Sequence, residues 1–203
     1  MICRLDRVSL RTLQNCMQTV FEDGPKRDRR LWLGDLRLQA LANYETFHNM
    51  KLVKRCLYLF AGQTKDNGQV SACLFTEPKF IVDDTFLLDY SMFFGAALCD
   101  YYEASGDKET LKDLSACAYR QMEIAKEQFA EKIGLFVSGD EKQINYASQV
   151  WMILAEVVSG EEGAEILDRL VELKPEKGMV SPYMNHHFVE ALLMCGKKDQ
   201  AME

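Results

Sequence analysis

The spacing of the connections between predicted helices constrains this fold more than any other feature of the sequence. Apolar residues recur at helical spacing in eight segments, and a ninth segment is starting at residue 197. The predicted helices cover residues 5–21, 35–47, 51–62, 84–104, 108–131, 145–158, 161–173 and 183–195. Long connections at 22–34, 63–83, 132–144 and 174–182 alternate with short ones at 48–50, 105–107, 159–160 and 196. Because short connections join antiparallel neighbours, this alternation predicts stacked helical hairpins with every long loop at one end.

The rhythm of hairpins predicts an all-α protein, either an α/α toroid or a helical-repeat solenoid. No motif recurs at a fixed period, which argues against the familiar solenoid repeats. Strand-like alternation is absent, so we expect no sheet larger than a short ribbon. Gly106 and Asp107 predict a helix stop followed by the N-cap of the next helix. We expect the 203 residues to form a single domain.

Composition excludes several classes of protein. The net charge of −7 argues against a general nucleic-acid binder, which needs a basic surface. No apolar run approaches the ~18 residues that span a bilayer, and the first ten residues contain no apolar signal core. Seven cysteines without CxxC spacing argue against a zinc site or a disulfide framework. Reduced cysteines favour a cytoplasmic location.

A run of charges between the first two predicted helices, EDGPKRDRRLWLGD at 22–35, is the strongest local indication of function. Gly24 and Pro25 predict that it is a loop. Its carboxylates are groups that can catalyse cleavage of a glycosidic bond, and its arginines can bind the carboxylates or the sugar hydroxyls. The indole of Trp32 can stack on the apolar face of a pyranose ring. A solvated loop with weak surface ion pairs explains the charges as well.

Two further groups of residues stand near predicted helix starts. Asp83 and Asp84 precede a very apolar helix, where a pair of carboxylates suits an N-cap. The alternative is sugar binding from the loop end that also carries the charged run, and both hold if one caps while the other points inward. His186 and His187 are adjacent and do not share a helix face, so the sequence predicts no metal site.

Three stretches of the sequence resemble the α-L-rhamnosidase family, glycoside hydrolase family 78. The charged run matches the family signature at Asp23, Arg27, Asp28, Arg29, Leu31, Trp32, Gly34 and Asp35. The stretch FIVDDTFLLDYSMFFGAALCDYYEASGD resembles the family's Asp-containing loop and the helix after it. The stretch GMVSPYMNHHFVEALLMCG is similar to its proline-started helix. The resemblance begins at about residue 5 and continues to the end of the chain.

The resemblance implies an (α/α)6 barrel that hydrolyses terminal α-L-rhamnosides with inversion and without a cofactor. Asp28 stands where the family usually has a glutamate as general acid. Because aspartate is one methylene shorter, the acid reaches the bond only if the loop moves inward. By the same match, the carbohydrate partner would be held by Asp23, Arg27, Trp32 and Asp35, with Asp83 and Asp84 from the neighbouring loop.

The predicted helices are too few for six hairpins, and no residue matches the family's general base. The sequence therefore predicts a truncated portion of a catalytic domain that is inactive alone. Its first and last hairpins would lack neighbours, and we expect a homodimer through that open edge. Two alternatives stay open. One is another (α/α)6 enzyme, such as an unsaturated-glycuronyl hydrolase, with Asp83 or Asp84 as second carboxylate. The other is a non-catalytic helical-repeat binding module.

Overall fold

The computed structural model describes residues 2–130, 133–139, 141–176 and 178–202. Nine α-helices lie within these residues, so the prediction of eight helices and the start of a ninth is confirmed. They are α1 Ile2–Cys16, α2 Leu33–Tyr44, α3 Met50–Ala61, α4 Leu88–Ser105, α5 Lys108–Glu127, α6 Tyr146–Leu154, α7 Gly160–Leu173, α8 Pro182–Met194 and α9 Lys198–Ala201. Long and short connections alternate along the chain, as the sequence predicts. None of the helices in the described residues is both long and apolar enough to cross a membrane.

All the strands of the described residues lie in the long connections between helices. They are β1 Leu31–Trp32, β2 Cys73–Phe75, β3 Ile81–Val82, β4 Phe129–Ala130 and β5 Leu135–Phe136. The first three form an antiparallel sheet with β2 in the centre, and β4 pairs with β5. The three-stranded sheet is larger than the ribbon expected from the sequence. Strands of two or three residues are too short to show the alternation that identifies a strand.

The chain divides into two compact units, residues 1–121 and 122–203, and the boundary falls inside α5. In the first unit, α2 packs against α3 and α4 around fully buried side chains that include Leu36, Phe60 and Phe94. In the second unit, α6 packs against α7 and α8. Helix α5 contributes residues to both units. That the 203 residues form a single domain stays a prediction.

Several helix ends differ from the sequence prediction by four or five residues. Helix α5 ends at Glu127 rather than residue 131, and α6 ends at Leu154 rather than residue 158. Helix α1 ends at Cys16 rather than residue 21, because the chain turns and the Glu22 amide donates to the Cys16 carbonyl at 2.8 Å. Helix α4 begins at Leu88 rather than residue 84, and no side chain caps it. The prediction that Asp83 or Asp84 caps this helix is therefore wrong. The Asp83 amide instead donates to the Cys73 carbonyl at 3.2 Å and continues the sheet.

Candidate functional site

The three-stranded sheet joins two long connections that are far apart in the sequence. Leu31 on β1 pairs with Leu74 on β2, and Leu74 pairs in turn with Val82 on β3. The Leu33 amide extends this pairing by donating to the Ala72 carbonyl at 3.0 Å. The charged run at 22–35 and the segment that carries Asp83 therefore flank the same central strand.

Asp23 holds the charged run in a closed loop. One carboxylate oxygen accepts from Arg27 Nη2 at 2.9 Å, and the other accepts from the Arg30 amide at 3.0 Å. The Asp23 amide also donates to the Arg30 carbonyl at 2.9 Å. The Asp23 side chain has 0% exposure, whereas the Arg27 side chain is 69% exposed. In this arrangement Asp23 determines the shape of the loop and has no surface open to a ligand.

Arg30 links the charged run to both other strands of the sheet. Its guanidinium lies 4.3 Å from the centroid of the Phe75 ring on β2. Its Nη1 lies 3.6 Å from the Asp83 carboxylate, which also accepts from the Thr85 hydroxyl at 3.3 Å. Asp83 is thus engaged within the protein, whereas Asp84 is exposed. Sequence reasoning missed Arg30, because only its position in the charged run distinguishes it from the other arginines.

Trp32 lies against an aromatic residue that the sequence does not mark as special. Its ring meets Tyr90 of α4 edge to face, with centroids 6.0 Å apart, and Tyr90 meets Phe93 at 5.5 Å. A side chain at Gly34 would place its Cβ 3.1 Å from the Tyr90 ring. A side chain at position 34 would therefore press on Tyr90, and the ring that supports Trp32 would have to move by a few tenths of an ångström. Sequence reasoning missed Tyr90 because it lies in an apolar helix.

Burial and charge act together on the acidic groups of the site. Burial raises the pKa of Asp35 in the first turn of α2, the charge of Asp23 raises it further, and Arg27 opposes both. The hydrogen bond from Arg27 to Asp23 raises the pKa of the Arg27 guanidinium. Burial, assisted by the charge of Asp83, raises the pKa of the Cys73 thiol to about 12. Asp23, Arg27 and Asp35 consequently form one electrostatic group.

Asp28 lies in the exposed part of the loop. The next residue, Arg29, has a left-handed backbone with φ of 55°, and its side chain donates to the Pro25 carbonyl at 2.9 Å. Among the described residues, none forms a hydrogen bond or ion pair with the Asp28 carboxylate. The carboxyl group is thus accessible to a substrate. That Asp28 and Asp83 or Asp84 face one concavity stays a prediction.

An open cleft of about 1100 Å3 lies beside α1 and the end of α2, and none of the residues that the sequence predicts for the site lines it. Arginines one turn apart on α1 and the side chains of Val8 and Phe47 line it. The arginines are Arg4, Arg7 and Arg11. Sequence reasoning did not identify this cleft, because it depends on how α1 meets the residues after α2.

Comparisons with known proteins identify the family. The model of the bacterial α-L-rhamnosidase 6 hairpin glycosidase domain matches residues 1–143. A rhamnosidase from Klebsiella oxytoca, solved with rhamnose bound, is 38% identical and has a TM-score of 0.66. The match covers 97% of this chain and 52% of that one, so the chain spans about half the length of the Klebsiella protein. A search of the curated proteins finds no match.

A second solved structure supports the fold. The GH78 family rhamnosidase of Bacillus sp. GL1 is 20% identical with a TM-score of 0.52, and the match covers 96% of this chain and 28% of that one. At this identity the likeness shows the fold alone. The resemblance drawn from the sequence and the six-hairpin glycosidase-like all-α fold are both confirmed. The chain belongs to the family of bacterial α-L-rhamnosidase six-hairpin glycosidase domains.

Proposed function

We propose that this chain is the portion of an α-L-rhamnosidase catalytic domain that carries the general acid and one side of the sugar pocket. The observation that carries the proposal is the three-stranded sheet, which holds the charged run at 22–35 beside the segment that carries Asp83. The rhamnose bound to the Klebsiella rhamnosidase supports rhamnose as the sugar. The proposed reaction is inverting hydrolysis of terminal α-L-rhamnosides.

Asp28 acts as the general acid in this proposal. Inverting hydrolysis needs one carboxylic acid that protonates the leaving oxygen and one carboxylate that activates water, about 6.5–9.5 Å apart. Asp28 is exposed and forms no hydrogen bond or ion pair with a described residue, so its carboxyl group is available to the glycosidic oxygen. We assign no base among the residues of this chain. The chain alone therefore binds sugar without hydrolysing glycosides.

The remaining residues of the run divide between holding the sugar and holding the loop. Trp32 offers a ring face for the apolar side of rhamnose, supported by Tyr90. Asp35 and Arg27 contact the sugar hydroxyls. Asp23 maintains the loop through its two accepted hydrogen bonds and meets the sugar only if the loop opens.

Asp83 and Asp84 complete the proposed pocket from the neighbouring connection. Arg30 holds Asp83 in an ion pair, and Asp84 is exposed to incoming sugar. An Asp83 engaged by Arg30 and Thr85 is a poor candidate for the second catalytic carboxylate of an unsaturated-glycuronyl hydrolase. The electrostatic grouping of Asp23 with Asp35 does not favour a plain helical-repeat binding module.

Tryptophan fluorescence tests the sugar site. The chain has two tryptophans, and Trp151 is buried, so a Trp151→Phe background leaves Trp32 as the reporter. We expect L-rhamnose, and not its mirror image D-rhamnose, to change the emission. Asp35→Asn should weaken binding by about ten- to a hundredfold, because one charge-assisted hydrogen bond is worth about 1.5–3 kcal/mol. The exposed Asp66→Asn serves as the matched control. Equal responses to both enantiomers, or equal effects of the two variants, would contradict the proposal.

An aryl-rhamnoside assay tests the division of the catalytic groups. We expect no turnover from the 203-residue chain, since inversion requires a second carboxylate. Turnover that Asp28→Asn abolishes would show that the base lies within this chain. Turnover that survives Asp28→Asn would remove Asp28 from the role of acid.

We also propose that the chain pairs with a second copy through the open edge left by the first and last hairpins, to which α1 and α8 belong. Ile2, Leu5 and Val8 are exposed on α1 and offer apolar surface to a partner. Light scattering should report a dimer that Leu5→Lys converts to a monomer. A monomeric parent chain at high protein concentration would contradict this part of the proposal.

A cytoplasmic location is the last part of the proposal. All seven cysteines are free, which suits a reducing compartment. Thiol labelling of the protein immediately after extraction under acid quench should find every cysteine reduced. Cysteines found oxidised at extraction would contradict the assignment.

A further inference from the structure

Three side chains of α8 place metal-binding atoms close together. One ring nitrogen each from His186 and His187 and one carboxylate oxygen from Glu190 all lie within 4.8 Å of one another. Glu190 follows the histidines by four and three positions, which are the two spacings that bring helical side chains together. The sequence argument against a metal site considered only the two adjacent histidines. Glu190 is a neighbour of both histidines on the helix surface, so the three groups lie together.

His187 is the fixed member of this group. Its ring is buried between Trp151 and Tyr183, with centroids 4.6 Å away from each. Its Nδ1 lies 3.1 Å from Glu190 Oε2. His186 and Glu190 are exposed and free to rotate toward a common point. Because His187 is already held, only the two exposed side chains lose rotational freedom when the three groups close on an ion.

We propose that His186, His187 and Glu190 bind a divalent transition-metal ion, with Zn²⁺ as the reference ion. Two imidazoles and one carboxylate are donors that suit Zn²⁺ and its neighbours in the first transition row, rather than Mg²⁺ or Ca²⁺. Ligand bonds of about 2.0–2.1 Å put donors on a tetrahedral ion about 3.3–3.4 Å apart. The His187–Glu190 separation of 3.1 Å is already close to that spacing.

The proposed site is separate in composition from the sugar site. It uses none of the residues assigned above to acid catalysis or sugar binding. Three protein ligands leave a fourth position for water or another small ligand, as in zinc sites that are not purely structural. The binding of metal to this group therefore does not depend on the rhamnosidase proposal.

Zinc titration in competition with a chromophoric chelator tests the site on the whole chain. Cys3 and Cys99 are exposed thiols that also bind zinc, so the titration uses a Cys3→Ser, Cys99→Ser background. We expect one Zn²⁺ per chain. Loss of a residue that only hydrogen-bonds to a metal ligand typically costs 10–100-fold in metal affinity. Glu190→Gln and His186→Asn change proposed ligands themselves, so each should lower the zinc affinity at least about tenfold. Both positions are exposed, and far-UV circular dichroism should report an unchanged fold.

The third histidine provides a matched control. His48 lies outside the group and has a left-handed backbone with φ of 53°, which asparagine tolerates. His48→Asn should leave the zinc affinity unchanged, and Mg²⁺ should not compete. Absence of stoichiometric binding, binding that survives both Glu190→Gln and His186→Asn, or equal loss in His48→Asn would each overturn the proposal.

Discussion

Two connections of the first unit are each organised by an aspartate, but they are organised in different ways. In the short turn between α4 and α5, Asp107 accepts from the Thr110 amide at 3.0 Å and from the Thr110 hydroxyl at 2.8 Å. Tyr101 and Lys54 add hydrogen bonds at 3.0 Å and 2.9 Å. Most of these partners lie within six positions of Asp107, so the turn is determined almost entirely by neighbouring sequence.

The charged run is closed locally by Asp23 but positioned by distant residues. Asp23 accepts from Arg27 and from the Arg30 amide, and these bonds close the loop upon itself. The direction in which the loop faces is determined by the pairing of β1 with β2 and by the contact of Trp32 with Tyr90. The comparison teaches that the helical frame depends on local signals, whereas the candidate site depends on contacts between separate connections.

Truncation of the core residue of the central strand should have the largest effect, on both stability and sugar binding. Leu74 is fully buried and pairs with both Leu31 and Val82. Leu74→Ala should lower the free energy of unfolding by about 2–5 kcal/mol, the usual cost of such a core truncation. It should also weaken the Trp32 response to L-rhamnose. Chemical denaturation and fluorescence titration measure the two effects.

The control for this variant is a leucine on the helical frame. Leu38 is exposed on α2, and Leu38→Ala should change stability by no more than about 0.5 kcal/mol. If Leu74→Ala leaves sugar binding intact in folded protein, the sheet does not position the site. The difference drawn between the two connections would then be wrong.

The features that the sequence predicted correctly are those that contacts between neighbouring residues determine. Apolar periodicity located the helices, and the glycine stop and aspartate cap at Gly106 and Asp107 are confirmed by the left-handed φ of 68° and the bond to the Thr110 amide. A serine before a helix is not sufficient for a cap, because Ser159 precedes α7 but forms no side-chain cap bond. In the first unit, the Met17–Phe21 turn shortened α1, since burial of Val20 and Phe21 outweighs the helical pattern there.

The sequence proposed candidate residues for the site but not the contacts between them. The sequence identified the residues of the charged run and the two aspartates of the neighbouring connection. It did not reveal that Arg30 connects them or that Tyr90 supports Trp32, because both contacts cross between long connections or between a connection and a helix. The three short strands that create these contacts carry no periodic signal of their own.

A methyl group at Gly34 should have an intermediate effect, again directed at the site. The added Cβ would lie 3.1 Å from the Tyr90 ring, so Tyr90 and then Trp32 must shift. Gly34→Ala should cost about 1–3 kcal/mol of unfolding free energy by overpacking and should reduce the response of Trp32 to L-rhamnose. Thermal denaturation and the fluorescence titration measure both.

A glycine of the helical frame gives the matched comparison. At Gly95 in α4 the nearest atom to an added Cβ is 3.9 Å away, which is an ordinary contact. Gly95→Ala should therefore stabilise the protein by up to about 1 kcal/mol, because alanine is the better helix former. If both substitutions stabilise, Tyr90 does not constrain the site connection.

The smallest effect should come from the short turn, and it should appear only in acid. The hydrogen bond from Lys54, followed by those from Thr110, lowers the pKa of Asp107 in the folded protein. The pKa of an aspartate in the unfolded chain is about 3.9. A folded pKa below that value gives stability that is present above about pH 4 and is lost as pH falls through the folded pKa. Asp107→Asn removes this contribution, so its melting temperature should fall less than that of the parent between about pH 4 and about pH 2. Because the ion pair is partly exposed, the difference should be modest and should shrink in high salt.

Asp66→Asn, in an exposed loop, should keep the acid dependence of the parent. An Asp107→Asn protein with the parent's full acid dependence would show that this turn is held by its cap geometry alone, without a contribution from charge.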